Sequence, residues 1–343
     1  MSEMMRLIDT KQAVGHVLCH DMTQIIPGVY KGPRFRKGHV VREEDIPVLL
    51  SMGKENLYVL ELGEGYLHED EAAGRLAALC GGDDTEKSLP REGKIELTSK
   101  TDGVLIVDTQ RLNKVNAVPE LMIATRKGNT PVKAGDKLCG TRVIPLVIEE
   151  EKIALAEKAA GTEPLLKVLP YRLKTAAVVA TGSEVAGGLI EDHFTPVLKR
   201  KLAAYGIEVT GYAAPGDGTE KIADAIAAVR EQKPDLVICT AGMSVDPDDN
   251  TPGAIRRSGA EVITYGAPVL PGAMFMLGYY PDGTPVMGLP GCVMYAGATI
   301  FDLVLPRIAA GVRLKREDFT VMGEGGLCLG CSECTFPVCP FGR

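Results

Sequence analysis

At 343 residues the chain is long enough for two or three domains of ordinary size, which excludes a lone small module. Hydrophobic residues make up 45% and charged residues 24%, a globular balance that excludes bulk disorder, collagen-like repeats and mucin-like stalks. A formal charge of −7, from 38 Lys and Arg against 45 Asp and Glu, leaves no positive field to gather nucleic acid or an anionic membrane surface; backbone N–H groups and a bound cation can still hold an anionic small molecule locally.

The first residues, MSEMMRLIDTKQ, lack the apolar stretch of a secretory signal, and no segment approaches the roughly 20 apolar residues of a membrane span, so a cytoplasmic protein is expected. His16, Cys19 and His20 stand within five residues, but Val17 and Leu18 suit a strand and the bland, structural interpretation is preferred over metal binding. Residues 30–37 form a basic, aromatic patch that reads as a solvated loop, with contact to an anionic ligand or acidic partner as the alternative. Helices are predicted over 46–52 and 68–79, the second ending at Gly81 and Gly82. The acidic stretch 83–88 and Pro90 read as a linker. Short alternating runs at 104–107, 138–140 and 143–148, punctuated by Gly and Pro, predict an antiparallel β-rich module, and a charged helix over 150–160 bridges to the C-terminal half.

From residue 175 to about 311 apolar β-branched runs alternate with amphipathic stretches, the pattern of β-α units on a parallel sheet. Strands are predicted at 174–181, 207–213, 236–240 and 285–289. Helices are predicted at 185–205, at 219–232 with Ile222, Ala225, Ile226 and Val229 on its apolar face, and at 292–310 with Pro306 marking a kink or the last turn. The expected fold class is α/β: a three-layer, open, mostly parallel sheet in the C-terminal half, preceded by a β-rich α+β half and followed by a Cys-rich tail. The expected divisions are 1–90 (α+β), 91–170 (β-rich with the linker helix), 171–312 (α/β) and 313–343 (tail), with no internal repeats. Cys19, Cys80, Cys139, Cys239 and Cys292 lie in apolar sequence, as buried reduced thiols do.

Three turns come directly after strands of the α/β half. Thr181-Gly182-Ser183-Glu184 opens a helix, so its N–H groups can cradle phosphate; an ordinary turn with Ser183 as cap is the bland alternative. Thr240-Ala241-Gly242-Met243-Ser244 is a small-residue loop that permits close backbone approach, at a strand end where open α/β sheets bind ligands. Asp246, Asp248 and Asp249 come next and can hold a hard cation such as Mg²⁺, unless they form only a solvated acidic turn. Leu289-Pro290-Gly291 is the third turn, or merely a shaped connection.

With Pro215-Gly216-Asp217 and Pro271-Gly272 interposed, these segments resemble, in order and spacing, the molybdopterin-binding domain shared by molybdopterin adenylyltransferases and molybdopterin molybdotransferases, over roughly residues 174–311. The resemblance implies a glycine-rich loop that grips the pterin phosphate through Thr181, Gly182, Ser183, Glu184, Thr240, Ala241, Gly242, Ser244, Pro290 and Gly291. It also implies that Asp249 and Asp217 serve catalysis around Mg²⁺; Asp246, from the acidic cluster, is a further candidate metal ligand. The implied chemistry is adenylyl transfer to the pterin phosphate, with ATP or AMP as the nucleotide, or metal insertion with loss of the nucleotide. The chain departs from the pattern at several places. Ser183 stands where a carboxylate is usual, Ala241-Gly242 replaces a glycine pair, Asp246 replaces a glycine, and Cys292-Val293 replaces Asn-Pro. Ala273-Met274 stands where the molybdotransferases have Lys-Pro, so a basic residue able to neutralise molybdate or phosphate is missing, which bears on catalysis more than on binding. Members of the family often self-associate, so a homo-oligomer is expected.

The tail reads C-x2-C-x2-C-x4-C-P through Cys328, Cys331, Cys334 and Cys339. It is similar to a bacterial ferredoxin run with one residue added before the last cysteine, so a [4Fe–4S] cluster, a tetrahedral Zn²⁺, or free or paired thiols are the choices. Gly323, Gly325 and Gly326 suggest a mobile attachment. Two functions from different classes are consistent with these residues: an enzyme of molybdenum (or tungsten) cofactor biosynthesis, or a non-catalytic carrier, sensor or insertion chaperone whose Cys-rich tail senses redox state or docks on an iron–sulfur enzyme; a molybdoenzyme or its maturation factors are candidate partners. A redox protein that relies on the tail alone, with a repurposed α/β domain, is the third.

Overall fold

The computed structural model describes residues 5–26, 29–60, 64–244 and 249–342. The chain divides into two compact units: Met1–Lys100, Val107–Arg126 and Ala134–Lys167 form the first, and Thr101–Ile106, Lys127–Lys133 and Val168–Arg343 the second.

The first unit is antiparallel and β-rich, as its alternating runs require. Leu121–Thr125, Lys137–Val143, Lys94–Ser99 and Thr85–Lys87 pair in that order. The strand Thr85–Lys87 occupies the acidic stretch expected as a linker. Thr85 turns the chain back there, donating from its N–H and its Oγ1 to the Gly82 carbonyl at 3.1 and 2.9 Å. The basic patch is likewise no loop, since Tyr30–Phe35 pairs with Met22–Ile26. Helices Asp45–Ser51, Glu69–Ala78 and Glu150–Ala160 lie where the periodicity placed them. Arg75 joins the last two, donating bidentately to the Glu157 carboxylate and once to Glu150, each at 2.8 Å.

Glu69, 8% exposed, starts the second of those helices with its carboxyl turned toward Gly38 and Gly93. Burial, then the Asp70 charge, pushes its pKa up to about 7. A carboxyl whose folded pKa lies above its unfolded value favours folding below the unfolded pKa, and that contribution is lost as pH rises toward 7. Arg142 and Lys37 already offset part of the penalty within that value, and a rise of that size corresponds to a loss of about 3 kcal/mol. Thermal unfolding between pH 4.5 and 8 should therefore show the wild type losing stability across the window while Glu69→Gln stays flatter; parallel curves for the two proteins would refute this.

The second unit carries the expected α/β architecture. In chain order it runs β1 (Thr175–Ala180), α1 (Ser183–Ala186), α2 (Phe194–Ala203), β2 (Glu208–Ala213), α3 (Thr219–Arg230), β3 (Leu236–Thr240), α4 (Thr251–Arg257), β4 (Glu261–Tyr265), β5 (Met276–Tyr279), β6 (Pro285–Leu289), α5 (Ile300–Ala309) and α6 (Arg316–Thr320). The sheet order is β2-β1-β3-β6-β5-β4, with only β5 antiparallel to its neighbours. The central strands are apolar on both faces because helices cover both. Ala176, Val178, Ile238, Met287 and Leu289 face α2 and α5, whereas Ala177, Val179, Val237, Cys239 and Val286 face α3 and α4. Alternate residues thus feed two cores on opposite sides of one sheet, giving three layers. A smaller sheet, made mainly of residues of this unit, orders Thr130–Val132, Gly103–Val107 and Leu166–Pro170.

Two expected long helices are broken, each by a cap that periodicity does not reveal. The stretch 185–205 splits into α1 and α2 because Asp192 accepts from the N–H groups of Phe194 and Thr195 at 2.8 and 3.0 Å, restarting the helix. The stretch 292–310 splits into a 3₁₀ turn, Gly291–Met294, and α5, which begins at a capping box: Phe301 N–H donates to Thr299 Oγ1 and Thr299 N–H to Asp302. Pro306 lies inside α5, one turn from its end.

Candidate functional site

The chain passes from β1 outward to β2, then crosses back to β3 on the other side of β1, so the C-terminal ends of β1 and β3 form the switch point at which open α/β sheets bind ligands. The loops singled out by sequence lie at that point. Ala180 is in register with Thr240, and Thr240 with Leu289, so the ends of β1, β3 and β6 stand in a row.

Hydrogen bonds stitch the row together. Buried Thr181 donates to the Thr240 carbonyl from its N–H (3.2 Å) and its Oγ1 (2.7 Å), and its Oγ1 also meets the Thr251 hydroxyl at 3.1 Å. Ala241 N–H donates to the Leu289 carbonyl at 3.2 Å, and Thr251 N–H to the Gly242 carbonyl at 3.2 Å. Ala241 and Gly242 take successive left-handed conformations, φ +65° and +57°. Such strain in a non-glycine residue is characteristic of ligand clamps. A Cβ on Gly242 would stand 2.7 Å from Thr251 Oγ1 and 3.2 Å from Thr181 Oγ1, so only glycine lets the loop pass that close.

Asp217 has a definite place. Its Oδ2 accepts from Ser183 N–H at 2.9 Å, so the protein's own carboxylate sits at the first N–H of α1. Pro290 is extended and Gly291 opens the 3₁₀ turn beyond β6. Ser244 is exposed and Asp249 half-buried at the approach to α4. Asp246 and Asp248 lie outside the described residues, and the Glu184 side chain outside the described side chains.

Several residues at the site carry no signal that the sequence pattern exposes. Thr251 is fully buried and shares its hydroxyl with Thr181. Thr219 Oγ1 donates to Asn250 Oδ1 at 3.0 Å, tying the start of α3 to the start of α4. Tyr265 Oη donates to the Met243 carbonyl at 2.9 Å and props the β3 loop from below. Burial pushes the Tyr265 hydroxyl pKa up, Asp249 adds to the rise, and Arg256, 5.5 Å from the ring, opposes it. The one hint of Thr251 is the Thr-Pro pair at a helix start; nothing local marks Tyr265.

Among the described residues, no group of three or more His, Cys, Asp or Glu stands close enough to hold a single metal ion. His16 and His20 flank the strand Val17–Leu18, as the structural interpretation required. Cys328, Cys331, Cys334 and Cys339 all line one cavity of about 250 Å³.

Residues 177–310 match the family described as "Probable molybdopterin binding domain", and residues 7–61 match a domain of unknown function. Over 90 residues the chain is 34% identical to a "Putative competence-damage inducible protein" of Bacillus cereus and to its Bacillus anthracis counterpart. That match covers 26% of this chain and 22%, about a fifth, of the relatives' length. Among solved structures, the molybdopterin biosynthesis enzyme MoaB of Thermus thermophilus is 18% identical, with a TM-score of 0.35 over 40% of this chain and 98% of its own. CinA of Thermoplasma acidophilum, a protein of unknown function, is 17% identical with a TM-score of 0.34 over 40% and 98%.

Proposed function

Since residues 177–310 match the family described as "Probable molybdopterin binding domain", we propose that the ends of β1, β3 and β6 seat the phosphate of a molybdopterin-type ligand, in a protein of molybdenum cofactor biosynthesis. The observation that carries this is the backbone cradle at Gly242: a left-handed turn with no room for a side chain, walled by the Thr181 and Thr251 hydroxyls. Thr181, Gly182, Ser183 and Glu184 flank it on one side. Thr240, Ala241 and Ser244 belong to the cradle loop itself, and Pro290 and Gly291 close the third side. The Thr181, Ala241 and Thr251 N–H groups and the Thr181 hydroxyl bond within the row, so in this reading the remaining backbone N–H groups of the loops and the Ser244 hydroxyl meet the phosphate, uncharged donors in a protein of net negative charge.

Asp249, with Asp246, would hold Mg²⁺, which when bound supplies charge neutralisation between the pterin phosphate and a nucleotide. The chain's own groups orient the phosphate. Asp217 holds Ser183 N–H in place and hands it over when a phosphate oxygen competes for it. The reaction is adenylyl transfer from ATP to the pterin phosphate, or metal insertion with release of AMP. Asp217 at the α1 N–H and Ala273 in place of a lysine favour a second function, a non-catalytic carrier that delivers the cofactor to a molybdoenzyme. No helix among the described residues is long and apolar enough to cross a membrane; a cytoplasmic location and self-association are part of the proposal.

Anaerobic purification and assay of the fluorescent oxidation product of molybdopterin tests ligand binding. Turnover with pterin, ATP and Mg²⁺ then separates the two functions. An enzyme releases pyrophosphate or AMP, and Asp249→Ala lowers that release by about a hundredfold or more while keeping much of the bound pterin. Bound pterin with no release by the wild type identifies the carrier, and no pterin at any concentration removes both.

A further inference from the structure

We propose that Cys328, Cys331, Cys334 and Cys339 ligate a [4Fe–4S] cluster in the cavity they line against the α/β domain. The four thiols are free and face one space. The cavity they line is about 250 Å³, and no three of the described ligand-type residues stand close enough together for a single ion. The C-x2-C-x2-C-x4-C-P spacing, a ferredoxin run with one residue added, favours four irons and four sulfides over one tetrahedral zinc.

The protein has built this place firmly. The expected mobile attachment is instead a docked segment. Leu270 N–H donates to the Gly326 carbonyl and Cys328 N–H to the Leu270 carbonyl, both at 2.8 Å, so a single parallel β-bridge between Leu270 and Leu327 fastens the tail as it enters. Gly342 N–H donates to the Gly325 carbonyl at 2.9 Å, closing the tail into a loop around its cysteines. Phe341, 4% exposed, is part of the α/β core, and Phe336, Cys328 and Cys339 pack against it.

Gly297 is the fitted position on the opposite wall. A Cβ there would stand 2.8 Å from both Cβ and Sγ of Cys334. Pro271, Ala298, Leu327, Leu329 and Phe336 make the remaining wall apolar, the dry surround that tunes cluster potentials. On assembly each thiol gives its proton to solvent as its sulfur bonds iron. Two ferrous and two ferric ions with four sulfides sum to the resting core, so ligation needs no outside oxidant or reductant.

The full-length chain, purified without air and loaded with equal parts ferrous and ferric iron and sulfide, is expected to hold about four irons and about four sulfides. It should show a visible absorption that dithionite bleaches. Cys331→Ser, Cys334→Ser and Gly297→Val should each lower bound iron about fivefold or more, while Cys19→Ser, in the other unit, should leave it unchanged. Circular dichroism of each variant separates loss of ligation from loss of fold. One zinc per chain without sulfide, or wild-type iron no higher than in Cys331→Ser, overturns the cluster. The result is independent of pterin binding, since pterin is measured on the same samples and either can fail alone.

Discussion

Gly242→Asp will abolish pterin retention while leaving the sheet folded. An L-residue at φ +57° costs about 1 kcal/mol. The new Cβ meets the Thr251 hydroxyl at 2.7 Å, and Thr251 is fully buried and bonded to Thr181, so it cannot swing aside. A carboxylate at the proposed phosphate seat adds like-charge repulsion. Together these exceed about 3 kcal/mol, more than a hundredfold in affinity. Gly242→Ala should weaken binding less, and Thr251→Ala in the same chain should restore part of the loss, because with Oγ1 gone the nearest Thr251 atom is Cβ at 3.6 Å. Pterin bound per chain and titration calorimetry read the series; wild-type affinity in Gly242→Asp would remove the cradle from the site.

Asp318→Ala will destabilise the second unit far more than Arg307→Met. Arg307 is 4% exposed in α5 and its Nη1 donates to Asp318 Oδ1 at 3.0 Å, while its Nε has no partner. Burial holds its pKa below the usual guanidinium range, with Asp318 opposing that shift. Removing Asp318 leaves a buried cation uncompensated and also strips the cap at Lys315 N–H, which α6 needs. The Asp318 side chain is 37% exposed, so water can relieve part of the penalty and the cost is about 2–4 kcal/mol. Arg307→Met removes the buried charge itself and leaves Asp318 partly solvated and still accepting from Lys315 N–H, so it should stay within about 1 kcal/mol of wild type. Urea unfolding measures both; equal losses would show that the arginine's contacts matter more than its charge.

The parallel strands are legible because a strand buried on both faces is an unbroken apolar run. Thr175–Ala180, Leu236–Thr240 and Pro285–Leu289 lie within a residue of where such runs place them. Strands β4 and β5 are not among the predicted ones, although residues 273–280 around β5 form an apolar run of the same kind. The helix breaks are hidden because Asp192 and Thr299 read as ordinary helix-surface residues until their bonds to backbone N–H groups are seen. At the candidate site the turns are visible through their small residues, which backbone approach demands locally. Thr251 is not, because its part depends on Thr181, 70 residues away. Tyr265 reaches the β3 loop only through tertiary register, which no spacing encodes. The tail's cysteines are legible as a set, but its glycines mislead. Glycine signals either freedom or close approach, and Gly325 and Gly326 are held by backbone bonds.

The interleaving of the two units has a consequence for dissection and synthesis. Residues 101–106 and 127–133 belong to the second unit although the chain re-enters the first between and after them. No single proteolytic nick can yield both halves intact. A fragment begun at residue 171 would lose the Gly103 carbonyl that accepts from Tyr171 Oη at 2.7 Å, together with the small sheet that Leu166–Pro170 completes. On the ribosome, the strand Gly103–Val107 emerges long before the central sheet of its unit exists, so that unit closes only after the C-terminal half has been made.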